Sequence, residues 1–332
     1  MEKRQFGRTG LGLGVLGFGC GSVGGLMVRG TPKDQERAVA RALAAGVTYF
    51  DTAVQYGNGA SETNLGRALK SLKATGAVVG TKVRVGPDER RGIGAAVTKS
   101  LDGSLKRLGM ERVDIFHLHN PIAHAESEES LTAKQVLEEV APAFEALRQQ
   151  GKVRHLGITA VGDTASLQEV IDAGRFESAQ IVYNMLNPSA ATSLSGTYPA
   201  QDYGRLLEHT QRSGVGVIGI RVLAGGALSG TAERHPIASP PPQPIGSAND
   251  YDADLGRARR LKPLIDAGFA ASLAEAAIRF AISELRMGTI LVGIAKPEQF
   301  EGALAAAEKG PLPKAALDRL AELQRGFAGE QR

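Results

Sequence analysis

Four side chains with acid–base chemistry stand at or just beyond the ends of short apolar runs. Asp51 closes Tyr49-Phe50-Asp51, Lys82 stands near the end of Val79-Gly80-Thr81-Lys82-Val83, His119 closes Ile115-Phe116-His117-Leu118-His119, and Tyr56 follows in the loop after Asp51. Singly, each has a plain explanation: an Asp after a strand caps a turn, a Lys at a strand end is solvated, and a His there is a satisfied polar group. Together they make a proton-transfer set. A buried lysine paired with Asp51 stays charged, and that charge stabilises the Tyr56 phenolate and lowers its pKa from about 10. Such a phenol is a general acid able to protonate a carbonyl oxygen as hydride arrives at the carbon. His119 would orient the carbonyl or share the proton.

These groups meet only if the runs that carry them converge at one end of a sheet. Eight short apolar runs are legible: Val15–Cys20, Val47–Asp51, Ala77–Val83, Val113–His119, Val153–Thr159, Ala179–Tyr183, Gly216–Val222 and Thr289–Gly293. Most are apolar on both faces, as expected for parallel strands covered on both sides. Helical patterns lie between them. Thr31-Pro32 starts the first, which Gly46 stops, and Ser61 starts the second. Ser166-x-x-Glu169 and Ser272-x-x-Glu275 read as capping boxes. Pro297 begins a helix that Gly310 closes, and a last helix runs near Pro313–Arg325. Eight alternating units predict a closed (β/α)8 TIM barrel, whose chemistry sits at the C-terminal strand ends. Gln5–Gly7 and Gly12–Gly14 add an N-terminal β-hairpin. A long irregular loop, Thr231–Asp252, precedes the eighth strand and carries five prolines, Pro236, Pro240, Pro241, Pro242 and Pro244. A barrel would put it over the active-site mouth.

Composition narrows the classes. With 332 residues and no sharp linker, residues 1–332 read as one barrel domain. Lys+Arg 39 against Asp+Glu 35 is a small excess with no long basic run, which predicts no nucleic-acid partner. No run of about 20 apolar residues exists, and glycines break the N-terminal stretch, so no membrane span or secretory leader is expected. A single cysteine, Cys20, excludes an intrachain disulfide framework and suits a cytoplasmic, reducing compartment.

The segment Asp51–Gly57, followed by Ser61-Glu62-x-x-Leu65-Gly66, resembles the aldo-keto reductase signature, as do Gly80-Thr81-Lys82 and Val113-Asp114 through His119-x-Pro121. The resemblance runs from the opening hairpin to Val292-Gly293. It implies a catalytic tetrad of Asp51, Tyr56, Lys82 and His119 in a (β/α)8 barrel that binds a nicotinamide cofactor. The implied reaction is reversible carbonyl reduction and alcohol oxidation, with Tyr56 as acid or base.

By the same resemblance, Cys20, Gly21 and Asp51 would line the nicotinamide and ribose, and Gln180 and Thr159 would contact the carboxamide. Ala160 stands where the family often has an amide donor. After the seventh strand, Arg221 would stack its guanidinium plane where the family has an aromatic ring. Val222 would join the cofactor site, and Leu223, Ala224, Gly225 and Gly226 would pass the pyrophosphate, reaching it through backbone N–H groups. Gly293, Lys296 and Gln299 would face the adenosine end. NADP(H) is favoured by the family pattern, with Arg257, Arg259 and Arg260 as further sources of charge. NAD(H) is the close alternative, because Glu298 and Glu301 disfavour a dianionic phosphate.

Two rival functions stay open. A metal-dependent hydrolase could use His117 and His119, which alternation puts on one face. The remaining histidines fall in loops (His124, His235), in a helix (His209) or at the wrong strand end (His155), so no metal site is assigned. The other rival is a non-catalytic, nicotinamide-binding subunit that reports redox state. The expected partner is a small carbonyl or sugar. Loops Ser22–Arg29, Asn120–Glu129 and Gly226–Asp252 would build its pocket, and polar Asn120 and His124 favour a sugar-like substrate. Ile158–Gly162 and Arg221–Leu223 resemble the aldose-dehydrogenase branch. Oligomeric state is not legible.

Overall fold

Two short antiparallel strands, β1 (Lys3–Gln5) and β2 (Gly12–Gly14), open the chain of the computed structural model, which describes residues 1–331. Phe6 and Leu13 of this hairpin are fully buried against Tyr49, Ile115, Ile218 and Leu291. They plug the bottom of a barrel, and burying each contributes about 1.5–3 kcal/mol.

The barrel strands are β3 (Leu16–Gly19), β4 (Tyr49–Asp51), β5 (Val78–Val83) and β6 (Val113–Leu118), then, after a two-residue pair β7 (Ile122–Ala123) and β8 (Leu131–Thr132), β9 (Val153–Ala160), β10 (Ser178–Val182), β11 (Gly216–Ile220) and β12 (Met287–Gly293). All eight expected runs are strands. They close in the order β10-β11-β12-β3-β4-β5-β6-β9, every pair parallel. Helices surround them: α1 (Leu26–Arg29), α2 (Pro32–Ala44), α3 (Ala60–Ser71), α4 (Ile93–Leu108), α5 (Ala133–Gln135), α6 (Ala141–Gln149), α7 (Thr164–Asp172), α8 (Leu206–Arg212), α9 (Tyr251–Arg260), α10 (Pro263–Asp266), α11 (Leu273–Ser283), α12 (Pro297–Glu308) and α13 (Lys314–Arg325).

Most helix signals act as expected. Thr31 caps α2 by accepting from Asp34 N, and Ser272 caps α11 by accepting from Glu275 N. Two differ. Asp163, not Ser166, caps α7; its carboxylate accepts from Ser166 N at 2.9 Å, so the helix begins earlier than the Ser-x-x-Glu pattern implies. Ser61 does not start α3 either. Gly59, at φ 88, precedes the helix, and the Ser61 hydroxyl instead donates to Cys20 O at 3.0 Å, tying α3 to the end of β3.

The proline-rich segment lies across the mouth, as expected, and ends where Asp250 caps α9. It is fastened to the segment after β3, where Arg29 Nε donates to Ile237 O at 2.6 Å and Ser239 N to Val23 O at 3.1 Å. No helix among the described residues is long and apolar enough to cross a membrane.

Candidate active site

Alternation along each strand sends every second side chain into the barrel. At the C-terminal end this brings Asp51, Lys82 and Gln180 together from β4, β5 and β10. Lys82, fully buried, donates from Nζ to Asp51 Oδ2 at 2.6 Å, to Thr52 O at 2.9 Å and to Tyr56 Oη at 3.0 Å. Asp51 Oδ1 accepts from Gln180 Nε2 at 2.5 Å and from Tyr49 Oη at 2.9 Å. The His119 ring stands edge-on to Tyr56 with centroids 5.7 Å apart, and its Nδ1 lies 3.2 Å from Gln55 Oε1. These residues open into a cleft of about 950 Å³.

The electrostatics follow from burial in company. Burial pulls the Lys82 pKa down, but the Asp51 and Tyr56 oxygens more than restore it, so the ammonium stays charged. Burial raises the Tyr56 pKa more than Lys82 lowers it. The expected pKa below about 10 is therefore corrected: Lys82 acts in the expected direction, but desolvation wins and the phenol stays protonated at neutral pH. Burial, helped by Lys82 and Arg84, pushes the His119 pKa down to about 3, so its ring is neutral.

Gly21, Asp51, Thr159, Gln180 and Gln299 all line the cleft, as do Arg221, Val222, Leu223, Gly225 and Gly293. Three residues expected at the cofactor do not. Cys20 is buried beneath the cleft floor, Ala224 is turned into the core, and Lys296 is exposed outside the cleft wall. Arg257 and Arg260 are spent on the C-terminus and its neighbours, with Arg257 donating to Pro199 O and Ser247 O and Arg260 to Gly326 O. Asn120 does not face substrate: its amide holds Val85 N, Val85 O and Glu129 O. His124 is exposed away from the cleft lining. His117 is buried inside the barrel with Nε2 2.9 Å from Ser178 Oγ, so it does not pair with His119. Among the described residues no three His, Cys, Asp or Glu side chains are grouped to hold a metal ion.

Sequence reading missed Arg84, Gln55 and Glu275, which line the cleft, and Tyr49 beneath it. Tyr49 had a signal, since it stands two residues before Asp51 and so faces the same way.

The residues fit a nicotinamide. Thr159 Oγ1 is a buried polar atom with no hydrogen-bond partner among the described residues. It lies in register with Gln180 on the next strand and lines the cleft. A carboxamide would satisfy it, and a buried hydroxyl left unpaired is otherwise costly.

The (β/α)8 barrel carries a buried Asp–Lys–Tyr cluster at its C-terminal mouth, the end where such barrels place their chemistry. A family model for the aldo/keto reductase family matches residues 15–325, and the chain belongs to that family. It is an NAD(P)-dependent oxidoreductase that interconverts carbonyls and alcohols. It is 28% identical over 312 residues to an L-galactose dehydrogenase of Arabidopsis thaliana, covering 92% of this chain and 88% of that protein. It is also 28% identical over 331 residues to an L-glyceraldehyde 3-phosphate reductase of Escherichia coli K12, covering 91% and 86%. The holo form of an aldo-keto reductase from Bacillus halodurans superposes with a TM-score of 0.72 at 23% identity, covering 100% of this chain and 98% of that one.

Proposed function

We propose that this chain interconverts a sugar-like carbonyl and its alcohol, with Tyr56 as proton donor in reduction and proton acceptor in oxidation. The observation that carries this reading is the Lys82 ammonium, bonded at once to Asp51 Oδ2 and Tyr56 Oη. A bound nicotinamide supplies or takes the hydride. Tyr56 holds the proton at Oη until the carbonyl oxygen gains charge, and Lys82 stabilises the phenolate left behind. His119 is neutral, and because Gln55 Oε1 accepts from Nδ1–H, its Nε2 is left as an acceptor for the alcohol hydroxyl. Thr159 and Gln180 would hold the carboxamide of a bound nicotinamide, and the proline-rich strap would exclude water.

A sugar-like substrate is supported by the polar mouth, where Gln55, Arg84, Glu129 and His235 line the cleft. The L-galactose dehydrogenase relative agrees with it. The family pattern favours NADP(H), but the cleft supports NAD(H). The arm between α11 and α12 is lined by Ser272, Glu275, Gln299 and Ala303, with no Lys or Arg among the described lining residues there. Glu275 is paired with Arg279 at 3.2 Å and Lys309 at 2.8 Å. A ribose hydroxyl suits that arm, and no lining cation among the described residues is there to hold a 2′-phosphate. One free, buried cysteine supports a cytoplasmic setting.

The test is a fluorescence titration with NADH, NAD⁺, NADPH and NADP⁺, followed by turnover on a panel of aldoses and simple aldehydes. Tighter NAD(H) binding with aldose turnover is expected. Tighter NADP(H) binding would overturn the cofactor reading, and turnover of apolar aldehydes alone would overturn the substrate reading.

A further inference from the structure

The barrel floor holds a tyrosine that the proton transfer above does not use. Tyr49 is fully buried on β4, and its Oη donates to Asp51 Oδ1 at 2.9 Å. Its neighbours make room for it. Asp51 pairs with Gly80 on β5, and a Cβ on Gly80 would lie 2.3 Å from Tyr49 Oη. On the other side a Cβ on Gly17 would meet Tyr49 Cδ1 at 3.3 Å. Phe6, Leu13, Ile115, Ile218 and Leu291 pack around the ring. The apolar ring therefore needs only the floor, whereas the hydroxyl needs Asp51. Phenylalanine would serve the packing alone, and a buried hydroxyl is tolerated only with a partner.

We propose that Tyr49 is a positioning residue for proton transfer: its phenol holds Asp51 Oδ1, keeps Oδ2 aimed at Lys82, and disperses the carboxylate charge. The proposal rests on Tyr56 being the proton donor. Tyr56 faces Lys82, Asp51, Arg221 and the His119 ring. Lys82 and Arg221 make it more acidic and Asp51 makes it less so. Removing the Tyr49 hydroxyl concentrates charge on Asp51 and weakens the acidity of Tyr56. Burial and Asp51 hold the Tyr49 pKa well above the usual tyrosine value, so it remains a donor throughout the working range.

The test compares the full chain, Tyr49→Phe and Tyr56→Phe, reading nucleotide affinity, kcat and the pH profile on whichever panel substrate the wild type turns over fastest. In Tyr49→Phe, nucleotide affinity is expected to hold, kcat to fall roughly tenfold, and the alkaline inflection to move up. Wild-type kcat with an unmoved inflection would overturn the proposal. If Tyr49→Phe does not fold, 3-fluorotyrosine at position 49 decides: a stronger donor of the same shape moves the inflection down, and an unmoved inflection overturns the proposal. Full activity in Tyr56→Phe would instead remove the proton-donor reading, a result that Tyr49→Phe cannot mimic.

Discussion

Lys82 Nζ lies 3.0 Å from Tyr56 Oη and 4.6 Å from the centroid of its ring, so one buried cation serves both the phenol oxygen and the aromatic face. The contact keeps the phenol inside the proton-transfer cluster although burial works against its ionisation.

Replacing Tyr56 with Phe is expected to lower kcat by roughly 10²–10⁴-fold, the usual worth of a positioned acid or base. Nucleotide affinity should stay within about twofold, because only the proton donor leaves. Steady-state kinetics beside a nucleotide titration check this, and a variant retaining full kcat would contradict the assignment.

Replacing Lys82 with Met removes the charge that lowers the Tyr56 pKa. The alkaline inflection is expected to move up and activity at neutral pH to fall. The variant also leaves Asp51 buried without its cation. Breaking a buried pair costs about 3–5 kcal/mol, and the remaining Tyr49 and Gln180 donors place this case at the lower end. Urea unfolding and a pH–rate profile measure the two effects separately.

His119 gives stability its acid limb. Its folded pKa is about 3, below the usual histidine value of 6.5, so between those values the unfolded chain binds more protons. Stability is expected to be full above that usual value and to fall as pH drops through the window toward 3. His117 is also held well below the ordinary value and adds to the same slope. Unfolding free energies at stepped pH should show a shallower slope in His119→Gln; an unchanged slope would remove His119 from the account.

Glu62 is fully buried on α3, where Oε1 accepts from Thr81 Oγ1 at 2.5 Å and Oε2 from Arg107 Nε at 2.6 Å. Thr81 immediately precedes Lys82, so this bond fixes β5 from outside the barrel. Glu62→Ala is expected to cost about 3 kcal/mol by stranding buried polar groups, with Glu62→Gln costing less. Chemical denaturation ranks the two, and equal losses would argue against the bond to Thr81.

Much of this was legible in the chain. Eight apolar runs of strand length, separated by capped helical patterns, read as a parallel sheet covered on both faces, and their count and the chain length favour a closed barrel over an open doubly wound sheet. Asp51, Lys82 and His119 at or just after strand ends, with Tyr56 in the loop after Asp51, follow from that sheet by alternation alone. What pattern does not carry is the balance of competing energies. The Tyr56 pKa depends on desolvation and Asp51 set against Lys82 and Arg221, and only packing says which side is larger. The direction of a side chain at a loop is likewise a tertiary matter. Lys296 stands in the expected segment yet turns to solvent, while Glu275 comes in from a different helix to line the cleft. Periodicity determined which residues share a face; three-dimensional packing decided which of them share a dielectric, and through it which can hold a proton.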